Sequence, residues 1–173
     1  HLYPVKRNNN GILNTSRGMI LYVGLKQDLD NTELTGLMQK ITVASKYFSL
    51  LTKKELYLKR VIFLKNSAKG HLVYDRYHQK IPMGLNNIPM APGYWWTQLI
   101  VHEFTHAIFK ILDDDIGYGY AWGKAPLPCL MGHNWYHGYC IKCKKRLGLG
   151  KLYGNIPVAK RPNNPLTRFF VKG

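Results

Sequence analysis

The segment that most constrains the fold is an apolar stretch at residues 96–112, WTQLIVHEFTHAIFKIL. Its large apolar residues recur at the three- and four-residue spacing that lines one face of an α-helix. The spacing therefore predicts a helix over about 96–112 that is packed against the rest of the domain. The residues available to face the core are Leu99, Ile100, Phe104, Ile108 and Ile111.

The chain before this helix has the patterns of strands and of one further helix. Residues 30–51 show helical spacing after an Asp-Asn-Thr cap. KIPMGL (80–85) favours a brief edge strand within a segment rich in Pro, Gly and Asn. The fold class predicted is α+β, with a small twisted sheet. Three further segments are typical of strands because they combine apolar runs or alternation with β-branched and aromatic residues: 18–25, 56–65 and 70–77.

The length of 173 residues suits one compact domain, and no internal repeat divides it. We predict a domain over residues 1–143 and a basic extension over 144–173. The extension contains eight basic residues and no acidic one. Its end, LTRFFVKG, is apolar enough to dock on the same domain, and a solvated extension is the alternative.

The charge of the chain is strongly unbalanced. Lys and Arg number 25 against 9 Asp and Glu, and four of those nine acids lie between residues 103 and 115. A basic surface around one acidic region favours weak electrostatic binding to anionic polymers, in addition to a protein or peptide substrate. No apolar run approaches the roughly 18 residues needed to cross a bilayer, so no membrane span is expected.

The motif His102-Glu103-Phe104-Thr105-His106 matches H-E-x-x-H. Histidines four residues apart project from the same face of a helix and can share one Zn²⁺. Zinc lowers the pKa of a bound water toward about 7, and the intervening glutamate can accept that proton for hydrolysis of an amide. The motif thus predicts a zinc hydrolase.

A catalytic zinc site has a third protein ligand, which this motif does not provide. No glutamate follows Glu103, and the positions of the extended H-E-x-x-H-x-x-G-x-x-H motif hold Phe109 and Leu112. An aspartate of the run 113–115 or a distant histidine therefore remains as the third ligand. The glycines of IGYGY, directly after that run, permit a reversal that would bring a carboxylate back toward the helix.

HEFTH followed by LDDDIGYG (112–119) resembles the signature of the aspzincin metalloendopeptidases, the deuterolysin and peptidyl-Lys metalloendopeptidase group. That signature is H-E-x-x-H and then G-T-x-D-x-x-Y-G. The resemblance implies a zincin-like fold and zinc-dependent endopeptidase activity. It implies zinc binding by His102, His106 and Asp115, with Glu103 as general base and Tyr118 as the hydroxyl donor that stabilises the oxyanion.

The chain departs from the family at two places. The Gly-Thr of the signature is Leu112-Asp113 here. CLMGHNWYHGY (129–139) loosely resembles a later family stretch whose acidic residues form a lysine-specific pocket, and His133 and Tyr136 occupy those positions. The resemblance therefore implies a substrate pocket with His133 and Tyr136 that favours apolar or acidic side chains and not lysine.

Two other functions compete with the aspzincin interpretation. One is a SprT-like, DNA-associated zinc protease in which His133, within GHNWYH, is the third zinc ligand. The basic charge and Cys140-x-x-Cys143 are similar to features of that family, although a second Cys pair is missing. The other is a non-catalytic metal-binding module, for which loss of Glu103 would be the sequence sign.

Three cysteines, Cys129, Cys140 and Cys143, lie near His133 and His137. One disulfide with a free thiol is one interpretation, and it would accompany an exported protein. Three thiolates with one histidine in a closed structural zinc site are the second, because Cys-x-x-Cys is a suitable ligand spacing. Three reduced cysteines inside a cell are the third.

The chain begins with His and not with Met. We therefore expect a processed product or a piece of a longer protein. A secreted or exported protein is the favoured location, as a free protease or as part of a larger effector or toxin.

Overall fold

The computed structural model describes residues 16–112, 129–132 and 135–173. Within them the chain forms a mixed α/β fold: the predicted combination of helices with one small sheet is confirmed, whereas the finer α+β class is not. Short 3₁₀ turns at Pro92–Tyr94, Leu130–Gly132 and Val158–Lys160 connect some of the elements. The strands and helices, in chain order, are β1 Arg17–Leu25, α1 Asn31–Leu51, β2 Leu56–Lys65, β3 Leu72–Tyr74, β4 Ile88–Met90, α2 Thr97–Phe109, α3 Ile141–Arg146 and β5 Arg168–Lys172.

The five strands form one sheet in the order β4-β3-β1-β2-β5, and every neighbouring pair is parallel. Alternate residues of a strand point to opposite faces of the sheet. In the central strand β1, Met19, Leu21 and Val23 are completely buried, whereas Ile20 and Tyr22 are only partly buried. One face of the sheet therefore carries the main hydrophobic core.

Helices α1 and α2 pack together in that core. The helix α1 begins at Asp30, whose carboxylate accepts a hydrogen bond from the Glu33 backbone N–H at 2.7 Å. Phe48 of α1 meets Phe104 of α2 edge to face, with 4.9 Å between the ring centroids. This contact fixes α2, which carries the HEFTH motif, against a long and well-packed neighbour.

Two predicted strands differ from the observed ones. Strand β3 covers only Leu72–Tyr74 of the predicted 70–77. The strand ends there because the carboxylate of the next residue, Asp75, accepts a hydrogen bond from the backbone N–H of Tyr77 and the chain turns. The edge strand is not KIPMGL but Ile88–Met90. Asn87, the residue before this strand, forms two hydrogen bonds with Gly70. Its side-chain oxygen accepts one from the Gly70 N–H, and its own N–H donates the other to Gly70 O.

Helix α2 ends at Phe109, earlier than the predicted boundary near 112. Lys110 adopts a left-handed conformation with φ of 56° and donates its N–H to His106 O, which closes the helix. The chain then turns back under the helix, so that Ile111 is still completely buried, as predicted for the core.

The basic extension contributes to the same sheet. Its strand β5 pairs in parallel with β2, and Phe169 stacks on Phe63 with 5.8 Å between ring centroids. Thr167 donates to Leu58 O at 2.7 Å just before the strand begins. In the described part of the chain, no helix is long and apolar enough to span a membrane.

His71 joins β1 to β3 through a contact that depends on pH. Its Nδ1 accepts a hydrogen bond from Tyr22 N at 2.9 Å, which requires a neutral ring. Burial, with nearby positive charge that includes Lys110, lowers the pKa of His71 from 6.5 to about 4. Between those pH values the unfolded chain binds a proton at His71 that the folded chain does not bind. The contribution of His71 to the free energy of unfolding is therefore complete above pH 6.5 and is lost as the pH falls toward 4.

We expect His71→Asn to reduce this pH dependence, because the amide oxygen can replace Nδ1 as acceptor but does not titrate. Urea unfolding of both proteins at about pH 7.5 and about pH 5 measures the effect. The wild type should lose more unfolding free energy between the two pH values than the variant loses. Equal losses would show that His71 does not titrate in the folded chain as described.

Candidate metal centres

Helix α2 brings the two histidines of HEFTH together inside the protein. His102 is 1% exposed and His106 is 7% exposed. Their rings are nearly perpendicular, with an interplanar angle of 84° and 4.6 Å between centroids, and the two Nε2 atoms are 3.0 Å apart. Two nitrogens that each lie about 2.0–2.1 Å from one tetrahedral zinc ion are about 3.3 Å apart. The observed separation is close to that value.

The opposite nitrogen of each ring contacts a backbone carbonyl. His102 Nδ1 lies 2.9 Å from Leu130 O, and His106 Nδ1 contacts Ile111 O. A carbonyl oxygen only accepts, so each Nδ1 carries the proton and donates it. In the neutral rings both Nε2 lone pairs then face each other. Histidines that bind metals are oriented in this way, with the second ring N–H held by a carbonyl or carboxylate.

Glu103 lies beside this pair. The residue is 4% exposed, and its Oε1 is 3.8 Å from His102 Nε2. A carboxylate at this distance can exchange a proton with a water held next to the imidazole nitrogens. The three residues that the motif singled out therefore lie close together.

Aromatic side chains enclose His102 on one side. Trp135 packs on its ring with 4.8 Å between centroids, and Trp96 meets Trp135 edge to face at 5.5 Å. Trp96 is 38% exposed, so the cluster reaches the surface. It gives the histidine pair an apolar boundary that limits water on that side.

The other predicted site residues are placed only in part. Asp113, Asp114, Asp115, Tyr118 and His133 lie outside the described residues. Tyr136 is 86% exposed, directly after Trp135. Within the described residues, no set of three candidate ligand atoms includes the histidine pair. The third ligand and the oxyanion donor thus stay predictions.

No family model, curated protein or solved structure matches this chain. The similarity to aspzincins therefore rests on sequence motifs alone, chiefly those of α2 and of segment 112–119. The zincin-like fold is a prediction in the same sense, whereas the mixed α/β architecture with a parallel sheet is observed.

A second candidate metal centre consists of the three cysteines. Cys129, Cys140 and Cys143 are buried, and their Sγ atoms all lie within 4.8 Å of one another. Cys129 and Cys143 are 3.6 Å apart, well beyond the roughly 2.05 Å of a disulfide, and all three thiols are free. The disulfide alternative is therefore not what the structure contains. The group could hold a metal ion.

Hydrogen bonding separates the acidities of the paired thiols. The hydrogen bond between Cys129 and Cys143 lowers the pKa of Cys129 in spite of burial, and backbone N–H groups add to the effect. The same bond, together with burial, raises the pKa of Cys143. Of these two thiols, Cys129 is thus the more acidic.

Sequence reasoning missed the carbonyls of Leu130 and Ile111, which orient the two histidines. No residue type signals such a role, because every residue has a backbone carbonyl.

Proposed function

We propose that this chain is a zinc-dependent endopeptidase with its active site on α2. The observation that carries the proposal is the buried pair of Nε2 atoms of His102 and His106, 3.0 Å apart, with both Nδ1 atoms held by carbonyls. That arrangement fixes the ring orientation and the tautomer needed to bind one cation.

The donor set fits zinc. Imidazole nitrogens suit Zn²⁺, and a catalytic site commonly has two histidines and one further ligand with one position left open. When bound, zinc polarises a substrate carbonyl and makes a water more acidic. The Phe48–Phe104 contact supports this set, because it holds the helix that carries both histidines.

Glu103 would act as the general base. Its carboxylate takes the proton of the attacking water and later delivers it to the amine that leaves. Burial and the 3.8 Å separation from His102 Nε2 support the role, because the base has to lie next to the metal-binding nitrogens. Asp115 as third ligand and Tyr118 as hydroxyl donor to the oxyanion complete the proposal, on the strength of the aspzincin resemblance.

One observation keeps a second ligand set, with His133 in place of Asp115, as an alternative. Leu130 and Trp135, which lie before and after His133 in the sequence, both contact His102. Leu130 does so through its carbonyl and Trp135 through its ring. Ile111, four residues before Asp115, contacts His106 in the same way. Distance along the chain therefore does not decide between the candidates, and the SprT-like alternative differs from the first proposal at this ligand.

Proteolysis by the purified chain, in the presence and absence of zinc, tests the function. We expect one zinc ion to be required for cleavage of an unstructured protein, because the two histidines have no hydrolytic role without the ion. Dialysis against a chelator should stop cleavage, and stoichiometric zinc should restore it. Cleavage that persists in fully metal-free protein, or no cleavage by the zinc-loaded chain of any member of a peptide library, would contradict the proposal.

A further inference from the structure

Two chain segments that are separate from HEFTH converge at the cysteines. Cys129 directly precedes the 3₁₀ turn Leu130–Gly132, whereas Cys140 and Cys143 belong to the start of α3. Thiolates that share one tetrahedral zinc ion have Zn–S bonds of about 2.3 Å and lie about 3.8 Å apart. Cys129 and Cys143 are 3.6 Å apart. This pair is therefore spaced as two ligands of one ion would be, and the sulfur of Cys140 lies within 4.8 Å of both.

Helix α3 buries few of its own side chains. It has six residues, and a helix of that length is not stable alone in water. Cys143 is its one buried residue, and Ile141 is 76% exposed. The remaining side chains of the helix are the cations of Lys142, Lys144, Lys145 and Arg146. The buried Cys140 and Leu147 at its two ends and a hydrogen bond from Arg146 to Lys110 O hold this basic segment against the core.

Bound metal would add a cross-link to these contacts and a negative charge beside the cations of α3. Three thiolates and one divalent cation have a single net negative charge, which the four cations of α3 would offset. The backbone N–H of Cys140 already donates to Cys129 Sγ at 3.3 Å, a contact that favours the thiolate form. Soft sulfur ligands select zinc over magnesium or calcium.

We propose that Cys129, Cys140 and Cys143 form a structural site for a thiophilic divalent cation, which zinc fits best, independent of the HEFTH pair. The ion cross-links the 129–132 turn to α3. It thereby also positions Leu130, whose carbonyl accepts a hydrogen bond from His102 Nδ1 and whose N–H donates to Gly138 O. The three thiols supply three of the four ligands of a closed tetrahedral site.

Cobalt substitution tests the proposal, because Co²⁺ bound by thiolates gives charge-transfer absorption that histidine ligands do not give. The purified chain loaded with Co²⁺ should show this absorption, and Cys143→Ser should lose most of it together with about one equivalent of metal. Met131→Leu is the matched control, since it exchanges a buried neighbouring side chain of similar volume and should leave the absorption unchanged. A cobalt spectrum without thiolate bands in the wild type would overturn the proposal.

The wild type provides a second test that does not depend on a variant's folding. Titration of the zinc-loaded protein with a mercurial thiol reagent should release about one zinc ion as three thiols react. Reaction of all three thiols with no release of metal would also overturn the proposal.

A variant with both His102→Ala and His106→Ala should keep the thiolate absorption while it loses the other metal equivalent. This outcome separates the two metal sites. Failure of the structural site would remove the thiolate absorption, whereas failure of the protease proposal would leave that absorption unchanged. Loss of the thiolate absorption in this folded double variant would show that the two sites are not independent.

Discussion

The Glu103→Gln variant should keep its zinc and lose peptide hydrolysis by a factor on the order of 10² to 10⁴, the usual range for a general base. The amide has nearly the same shape as the carboxylate, so the packing around this buried side chain changes little. It cannot accept a proton from water, however. Metal content and initial rates on a quenched-fluorescence peptide, measured on the same preparations, test both halves of this result.

Glu33→Gln is a matched control for that substitution. Glu33 pairs with Arg76 at 2.7 Å, and the side chains of both residues are about one third exposed. Loss of such a pair changes stability by about 1 kcal/mol or less and should leave the rate unchanged. A Glu103→Gln protein that cleaves as fast as Glu33→Gln would rule out the proposed role of Glu103.

The Asp115→Ala variant should lose both zinc at the HEFTH site and activity. Removal of one of three protein ligands weakens a zinc site by a large factor, and the aspzincin resemblance assigns this ligand to Asp115. Zinc affinity measured by competition with a chromogenic chelator gives the result directly. Cys-bound metal is counted separately through the thiolate absorption of the cobalt form.

Neighbouring residues provide the controls for this ligand test. Asp113→Ala and Asp114→Ala should spare the metal if position, and not local negative charge, selects the ligand. His133→Ala should cost much less affinity than Asp115→Ala. If His133→Ala loses the zinc and Asp115→Ala retains it, the third ligand is His133 and the aspzincin assignment is wrong.

The local elements could be predicted from the sequence because their signals are local. Helix α1 and strand β2 follow the predicted ranges within one residue, since capping and side-chain periodicity act over a few positions. The ends of β3 and the position of β4 could not be predicted in this way. The end of β3 follows from the turn that Asp75 makes with Tyr77, and the position of β4 depends on the contact between Asn87 and Gly70, which are 17 positions apart.

In the candidate site, too, the local features could be predicted from the sequence and the tertiary contacts could not. The four-residue spacing of His102 and His106 within a helix determines that the two rings share a face. The proximity of Leu130 and Trp135 to His102 requires knowledge of how the chain returns to α2. Cys-x-x-Cys likewise indicated two of three clustered thiols, whereas the distance from Cys129 to them is set by tertiary packing.

The all-parallel sheet has a consequence for how the chain folds. No two strands that pair in it form a hairpin, so each pairing has to close a loop of the backbone. The longest loop brings β5 to β2, where Thr167 and Leu58 are 109 positions apart and are joined by a hydrogen bond. Such a high contact order predicts slow folding. Because residues 168–172 are made late, a ribosome-bound chain cannot complete its sheet until synthesis of these residues is finished.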